Sequence, residues 1–132
     1  MNTNNIKRVM AVALAVAIIM AATVPAYAVQ PRYEDILLID LLFDIVDGVA
    51  VCTVAAEGRS YYNEYRVNMV LYQDDDDLAS WSYTGICSVD ATEYCNVTRG
   101  HEYYLGIHVK VYDPNGNFIE QVIDYTPIYD YQ

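Results

Sequence analysis

Positive charge is the scarcest commodity in this chain. Seven Lys and Arg stand against 18 Asp and Glu, giving a formal net charge of -11, and there are only two histidines. Nucleic-acid binding draws its affinity from neutralised phosphates, so this balance excludes it as a primary role. It equally disfavours an anionic membrane surface. Cysteine is also sparse. The three, Cys52, Cys87 and Cys95, form no Cys-x-x-Cys pair and neither His101 nor His108 adjoins one, which disfavours zinc. No Gly-x-Ser-x-Gly elbow surrounds Ser60, Ser80, Ser82 or Ser88. There is no His-Glu-x-x-His and no glycine-rich phosphate loop. Long apolar runs are absent after the first 28 residues, and 132 residues allow one domain rather than two.

The exception is the start. Lys7 and Arg8 precede an apolar run from Val9 to Val24, Pro25 breaks it, and Ala26-Tyr27-Ala28 places small residues at -3 and -1. That is the pattern of a secretory signal peptide over residues 1–28, with cleavage after Ala28. A membrane anchor needs about 20 apolar residues, more than this run supplies. The expectation is a secreted, extracellular protein without membrane insertion after cleavage. All 18 acids but only Arg32, Arg59, Arg66, Arg99 and Lys110 follow residue 28, so the mature part carries -13. Export permits disulfides, and an odd cysteine count leaves one thiol over. Three single pairings, or none, are open. Cys87 with Cys95 closes the shortest loop, turning at Asp90-Ala91-Thr92, while Cys52 lies in an apolar segment and reads as a buried small hydrophobe.

The mature chain has a period of two, broken by turn residues. From Ile36 to Val46 the odd positions Leu37, Ile39, Leu41, Phe43 and Ile45 are apolar. Asp47-Gly48 is a strong two-residue hairpin signal. It pairs Val46 with Val49, Ile45 with Ala50, Phe43 with Cys52 and Leu41 with Val54, apolar face on apolar face. A helix competes over Ile36 to Val46, since Asp40, Asp44 and Asp47 share a helical face; the Asp-Gly turn and the β-branched run after it favour strand. A strand with Tyr65, Val67, Met69 and Leu71 inward comes third. The acidic run Asp74 to Asp77 reads as a turn, Leu78 to Tyr83 as a fourth strand, and Gly85 to Val97 holds a fifth. Tyr103, Leu105, Ile107, Val109 and Val111 mark the sixth, Asp113-Pro114-Asn115-Gly116-Asn117 a turn, and Phe118 to Tyr125 the seventh. Residues 29–35 are a short N-terminal extension, and 126–132 are a C-terminal tail that frays from Ile128 to Gln132. Seven short strands without a helical crossover imply an all-β, seven-stranded antiparallel immunoglobulin-like sandwich over residues 36–125. Its strands would be A, B, C, C′, E, F and G, with Tyr103 placed like the tyrosine of the E–F corner.

Three segments carry a resemblance: Gly48-Val-Ala-Val-Cys52-Thr-Val, Val97-Thr-Arg-Gly-His-Glu-Tyr103, and Val109-Lys-Val-Tyr-Asp-Pro-Asn-Gly116-Asn. With Trp81 after a polar hairpin, they make most of residues 32–125 similar to small exported immunoglobulin-like β-sandwich proteins of Gram-positive gut bacteria, a group without an assigned activity. The resemblance implies the fold and a signal peptide, and no cofactor or catalytic residue. The acidity and the Cys87 and Cys95 positions depart from that group.

Few constellations carry chemistry. His101 and His108 have opposite parity on one strand, so they cannot share a metal. The Asp74 to Asp77 run could hold calcium, but it lacks the spacing, glycine and distal glutamate of an EF-hand loop and reads as a solvated hairpin tip. Asn96-Val97-Thr98 is a sequon by chance. The sharpest site follows from strand parity. Strands C and F are neighbours, and their outward residues include Arg66, Tyr72, Tyr104, His108, Lys110 and Tyr112. Tyr and Arg suit recognition surfaces, and mid-strand Gly106 can mark a partner's close approach. The expectation is a non-enzymatic binding face centred on Tyr104, His108 and Tyr112, recognising an extracellular protein or a glycan. The alternatives are a structural or self-associating surface protein and, least favoured, a secreted hydrolase or small toxin. No metal or other cofactor is called for.

Overall fold

The computed structural model describes residues 33–132. The expected signal peptide over residues 1–28, its expected cleavage after Ala28, and Arg32 lie outside the described residues. Within them the chain is all β: β1 (Ile36–Val46), β2 (Val49–Gly58), β3 (Glu64–Gln73), β4 (Asp76–Ile86), β5 (Ser88–Asn96), β6 (His101–Tyr112), β7 (Phe118–Tyr125) and β8 (Tyr129–Tyr131). They form two antiparallel sheets, one ordered β1-β2-β5 and the other β4-β3-β6-β7 with β8 also on β6. The sheets enclose one core, the arrangement of a β-sandwich.

The Asp-Gly hairpin sets the first sheet. Asp47 and Gly48 have φ of 50° and 78°, the doubly left-handed turn that matches strand twist. Val46 pairs Val49, Ile45 Ala50, Phe43 Cys52 and Leu41 Val54, the register that the turn chemistry predicts. Ile36 to Val46 is therefore strand, not helix. One inward position differs. A bulge between Ile36 and Leu38 shifts the register, so Ile36 is buried and Leu37 is 55% exposed. An extra residue reverses the parity of everything before it.

The core joins unequal faces. β2 contributes the small residues Ala50, Cys52, Val54 and Ala56, and β3 and β6 supply the bulk through Tyr65, Met69, Leu71, Leu105 and Ile107. Small against large lets the two layers interdigitate. Cys52 is fully buried and desolvation pushes its thiol up to about 12, helped by Cys95 and Glu93. It is the inert small hydrophobe that its apolar segment predicts.

Further expectations are corrected. The acidic turn is only Asp74-Asp75, with φ of 48° and 67°, because Gln73 pairs Asp76 and Asp77 already lies in β4. Asp tolerates left-handed geometry, so two acids make the tight turn and the next two continue the strand. Cys87 and Cys95 do not pair. Residues 88–96 run as one strand through the supposed turn at Asp90-Ala91-Thr92, paired along their length with β2. Eight extended residues separate the thiols by about 26 Å, against a Cα limit of about 7 Å for a disulfide. All three cysteines are free. Cys87 instead turns the corner between the sheets at φ 68°, its N–H donating to Asn63 O at 2.8 Å and its carbonyl accepting from Gly58 N at 2.8 Å.

Both chain ends of the described part are also ordered rather than loose. The tail forms β8 beside His101–Tyr103, and Gly100 N donates to Tyr131 O at 2.6 Å. Pro127, with no N–H, falls in the break between β7 and β8, where Thr126 exchanges bonds with the backbone of Leu105. At the other end Glu120 accepts the N–H groups of Glu34, Asp35 and Ile36 at 2.7 to 2.8 Å. The buried Asp35 carboxylate accepts Tyr65 OH at 2.6 Å and Ser60 N at 2.7 Å. Residues 33–35 are thus part of the folded unit, not an extension.

Candidate binding site

The outer face of the five-stranded sheet is built by cross-strand rows along β4, β3, β6 and β7. Ser82, Asn68, His108 and Ile123 form one row, and Thr84, Arg66, Lys110 and Gln121 the next. Ser80, Val70, Gly106 and Tyr125 lie on one side of these, with Glu64, Tyr112 and Phe118 on the other. The parity that sends Tyr65, Val67, Met69 and Leu71 inward sends Arg66 and Tyr72 outward, and the same holds on β6 for Tyr104, His108, Lys110 and Tyr112. The structure brings all six expected residues to one face.

It does not gather them at one centre. Tyr104 and Tyr112 are eight residues apart on β6, about 26 Å. Two hollows share Asn68 and His108 as their common wall. The first, about 390 Å³, is lined by Arg66, Lys110, Tyr112, Ser82 and Thr84 besides the shared pair. The second, about 190 Å³, is walled by Tyr72, Gly106, Ile123 and Tyr125. Among the described residues, no Asp or Glu lines either hollow.

The basic end has a fixed geometry. The Arg66 guanidinium lies 4.1 Å from the centre of the Tyr112 ring and binds Glu64 at 2.7 Å. Lys110 sits directly opposite Arg66 and, among the described residues, makes no ion pair. His108 Nε2 is 2.8 Å from Gln121 Oε1, which orients the imidazole along the sheet.

The aromatic end is a three-ring cluster. Tyr72 and Tyr104 stack at 4.7 Å with planes 16° apart, and Tyr125 meets them at 6.4 and 6.1 Å. Tyr104 OH donates to Asp75 Oδ1 at 3.2 Å. Desolvation among the rings, then Asp75, pushes the Tyr104 phenol above its ordinary value; desolvation and then Tyr125 do the same for Tyr72. Gly106 is buried beneath this cluster. A Cβ there would stand 2.8 Å from Cε1 of Tyr125 and 3.1 Å from Cε2 of Tyr72. The group that closely approaches this glycine is therefore the chain's own Tyr125, not an outside partner. Tyr104 and Tyr72 act as the platform under Tyr125, which is 56% exposed.

Strand pairing between β3 and β6 alone misses the flanks: Ser82 and Thr84 on β4, and Gln121, Ile123 and Tyr125 on β7. The signal for Tyr125 is the glycine itself, since an aromatic residue across from a strand glycine fills the space left by the missing side chain.

The acidic hairpin tip is occupied by its own contacts. Asp74 Oδ1 accepts Glu102 N at 2.9 Å and Oδ2 meets His101 Nδ1, so the carboxyl is held below the usual aspartate value, first by that N–H and then by His101. Among the described residues no cluster of three or more His, Cys, Asp or Glu is placed to hold a metal ion. No family model, curated protein or solved structure matches this chain.

Proposed function

We propose that the protein is an exported, non-enzymatic binding module of immunoglobulin-like type that recognises an extracellular protein or glycan through the outer face of the β4-β3-β6-β7 sheet. One observation carries the reading. A chain of net charge -11 places two of its four described Lys and Arg, with one of its two histidines, around paired hollows whose walls, among the described residues, contain no acid. Concave sites with a few convergent polar groups are the ordinary form of a ligand site.

The immunoglobulin-like type rests on two features. Lettered in chain order, β1 to β7 correspond to A, B, C, C′, E, F and G, with sheets ABE and C′CFG. Tyr103, near the start of β6, donates its hydroxyl to Thr98 O at 2.9 Å and accepts Thr98 N at 3.0 Å. That return to the backbone a few residues upstream is the bonding of a tyrosine corner. Export rests on the leader, and N-terminal sequencing of protein from the culture medium should begin at Val29; a start at Met1 overturns it.

The test of the face is binding of the purified protein to a panel of host surface proteins and glycans. His108→Ala should weaken capture of a true ligand about tenfold or more. Tyr94→Ala, on the opposite sheet, should leave capture unchanged. The reverse pattern overturns the assignment. The second reading, a self-associating surface protein, is favoured by that opposite sheet, where Leu42, Val46 and Tyr94 are all exposed. Sedimentation across a hundredfold concentration range separates the two, because self-association requires a mass that rises with concentration.

A further inference from the structure

The Arg66–Lys110 pair is the most unusual feature of the face. The two cations are direct cross-strand partners, and like charges directly opposite one another destabilise a sheet. Acids outnumber bases in this chain by 18 to seven, yet the other groups in that row are Thr84 and Gln121, neutral hydrogen-bonding side chains. Glu64 pairs with Arg66, and among the described residues neither it nor any other acid pairs with Lys110. Lys110, beside a second cation and a hollow with no acid in its wall among the described residues, is suited to an anion that bonds both side chains.

The chemistry of the surroundings narrows the anion. Backbone N–H and C=O groups inside a sheet are consumed by strand pairing, so this face offers only side chains. An extended peptide is recognised chiefly at a sheet edge, where main-chain bonds are available. A ligand rich in hydroxyls needs side-chain amides and hydroxyls instead, and Asn68, Ser82, Thr84 and Gln121 supply them. About four residues along β6, roughly 13 Å from Lys110, Tyr125 presents an exposed ring backed by the Tyr72–Tyr104 stack. A rigid aromatic surface of that kind takes the apolar face of a sugar ring.

Resting on the binding-face reading above, we propose that the ligand is an acidic oligosaccharide. Its carboxylate or sulfate lies between Arg66 and Lys110, and a neighbouring sugar ring lies against Tyr125.

The experiment is calorimetric titration of the protein with an oligogalacturonate, a sulfated heparin-derived oligosaccharide, a neutral chito-oligosaccharide and a poly-glutamate peptide. At least one acidic saccharide should bind, the neutral one and the peptide should not, and raised salt should weaken binding. Lys110→Gln and Arg66→Gln should each reduce affinity about tenfold or more, the effect of losing a charge-assisted hydrogen bond. Lys110→Gln should leave the melting temperature unchanged or higher, because it removes the repulsion, so its loss of binding cannot be a loss of fold. Tyr125→Ala should weaken the same ligand. Equal binding of the neutral saccharide, with His108→Ala still sensitive, overturns the anion and leaves the face. Poly-glutamate binding as tightly as the saccharides overturns the sugar. Failure of every saccharide at millimolar concentration, with a protein captured through His108, overturns this inference alone. Failure of every saccharide, with no His108-dependent partner, overturns the binding face as well.

Discussion

Single side chains at the two ends of the core settle how the chain closes. Tyr65 is fully buried and its hydroxyl serves one acceptor, Asp35 Oδ2 at 2.6 Å, in a carboxylate that is itself buried. Burial, then the bond to Asp35, pushes the Tyr65 phenol well above its ordinary value, so it remains a donor. Tyr65→Phe should cost about 1–3 kcal/mol in denaturant unfolding, because it strands a charged acceptor in the core while removing almost no apolar contact. A change within experimental error would mean that water replaces the hydroxyl. The inward placement of Tyr65 was legible from the period of two, since Tyr65, Val67, Met69 and Leu71 share a parity. Its partner was not legible. Asp35 lies 30 residues away, and nothing in local pattern distinguishes a buried aspartate from the many exposed ones. The site residues divide in the same way: parity placed Arg66, His108 and Lys110 on one face, whereas the covering of Gly106 by Tyr125 depends on the β6–β7 register.

At the scale of strands, the readable boundaries were those with a strong turn signal. Asp47-Gly48 set the β1–β2 register residue by residue. The weaker signals failed for physical reasons. Cys87 adopts a left-handed corner without glycine, held by backbone bonds to Gly58 and Asn63, so β5 had no visible start. The tail lacked a visible role because Tyr129–Tyr131 is only three residues long, and its worth comes from what it covers. Tyr129 meets Phe43 edge-on at 6.1 Å, and Arg99 lies 4.9 Å from the centre of the Tyr131 ring while donating to Gln132 O. Deleting residues 128–132 exposes this packing and leaves His101–Tyr103 without its edge partner. The loss should be on the order of 2 kcal/mol from the two half-buried rings, which corresponds to a melting temperature lower by roughly 10 °C for a domain of this size. Amide exchange at His101 and Tyr103 should accelerate while that of Val109 does not. An unchanged melting temperature would return the segment to the status of a frayed end.

For the whole molecule, the excess of acid makes low pH the informative stress. Besides Asp35 and Glu120, two hairpin tips use their carboxylates as acceptors. Asp74 ties the β3–β4 turn to the start of β6 through Glu102 N and His101. Asp113 holds the β6–β7 turn by accepting Asn115 N and Asn117 N, each at 2.9 Å. Both carboxyls are held below the ordinary aspartate value, Asp74 first by the Glu102 N–H and Asp113 first by the Asn117 N–H. An acid whose folded value is depressed binds its proton more readily when unfolded. Its contribution is therefore complete above the unfolded value, near pH 4, and is lost as pH falls through the lower folded value. Melting temperatures measured from pH 6 down to pH 2 should fall in that window. An Asp74→Asn, Asp113→Asn double variant should begin lower at pH 6 and fall less steeply, its curve converging on the parent's at the acid end. Parallel curves would show instead that acid unfolding is governed by the remaining carboxylates, and that the two tips hold their turns by backbone geometry alone.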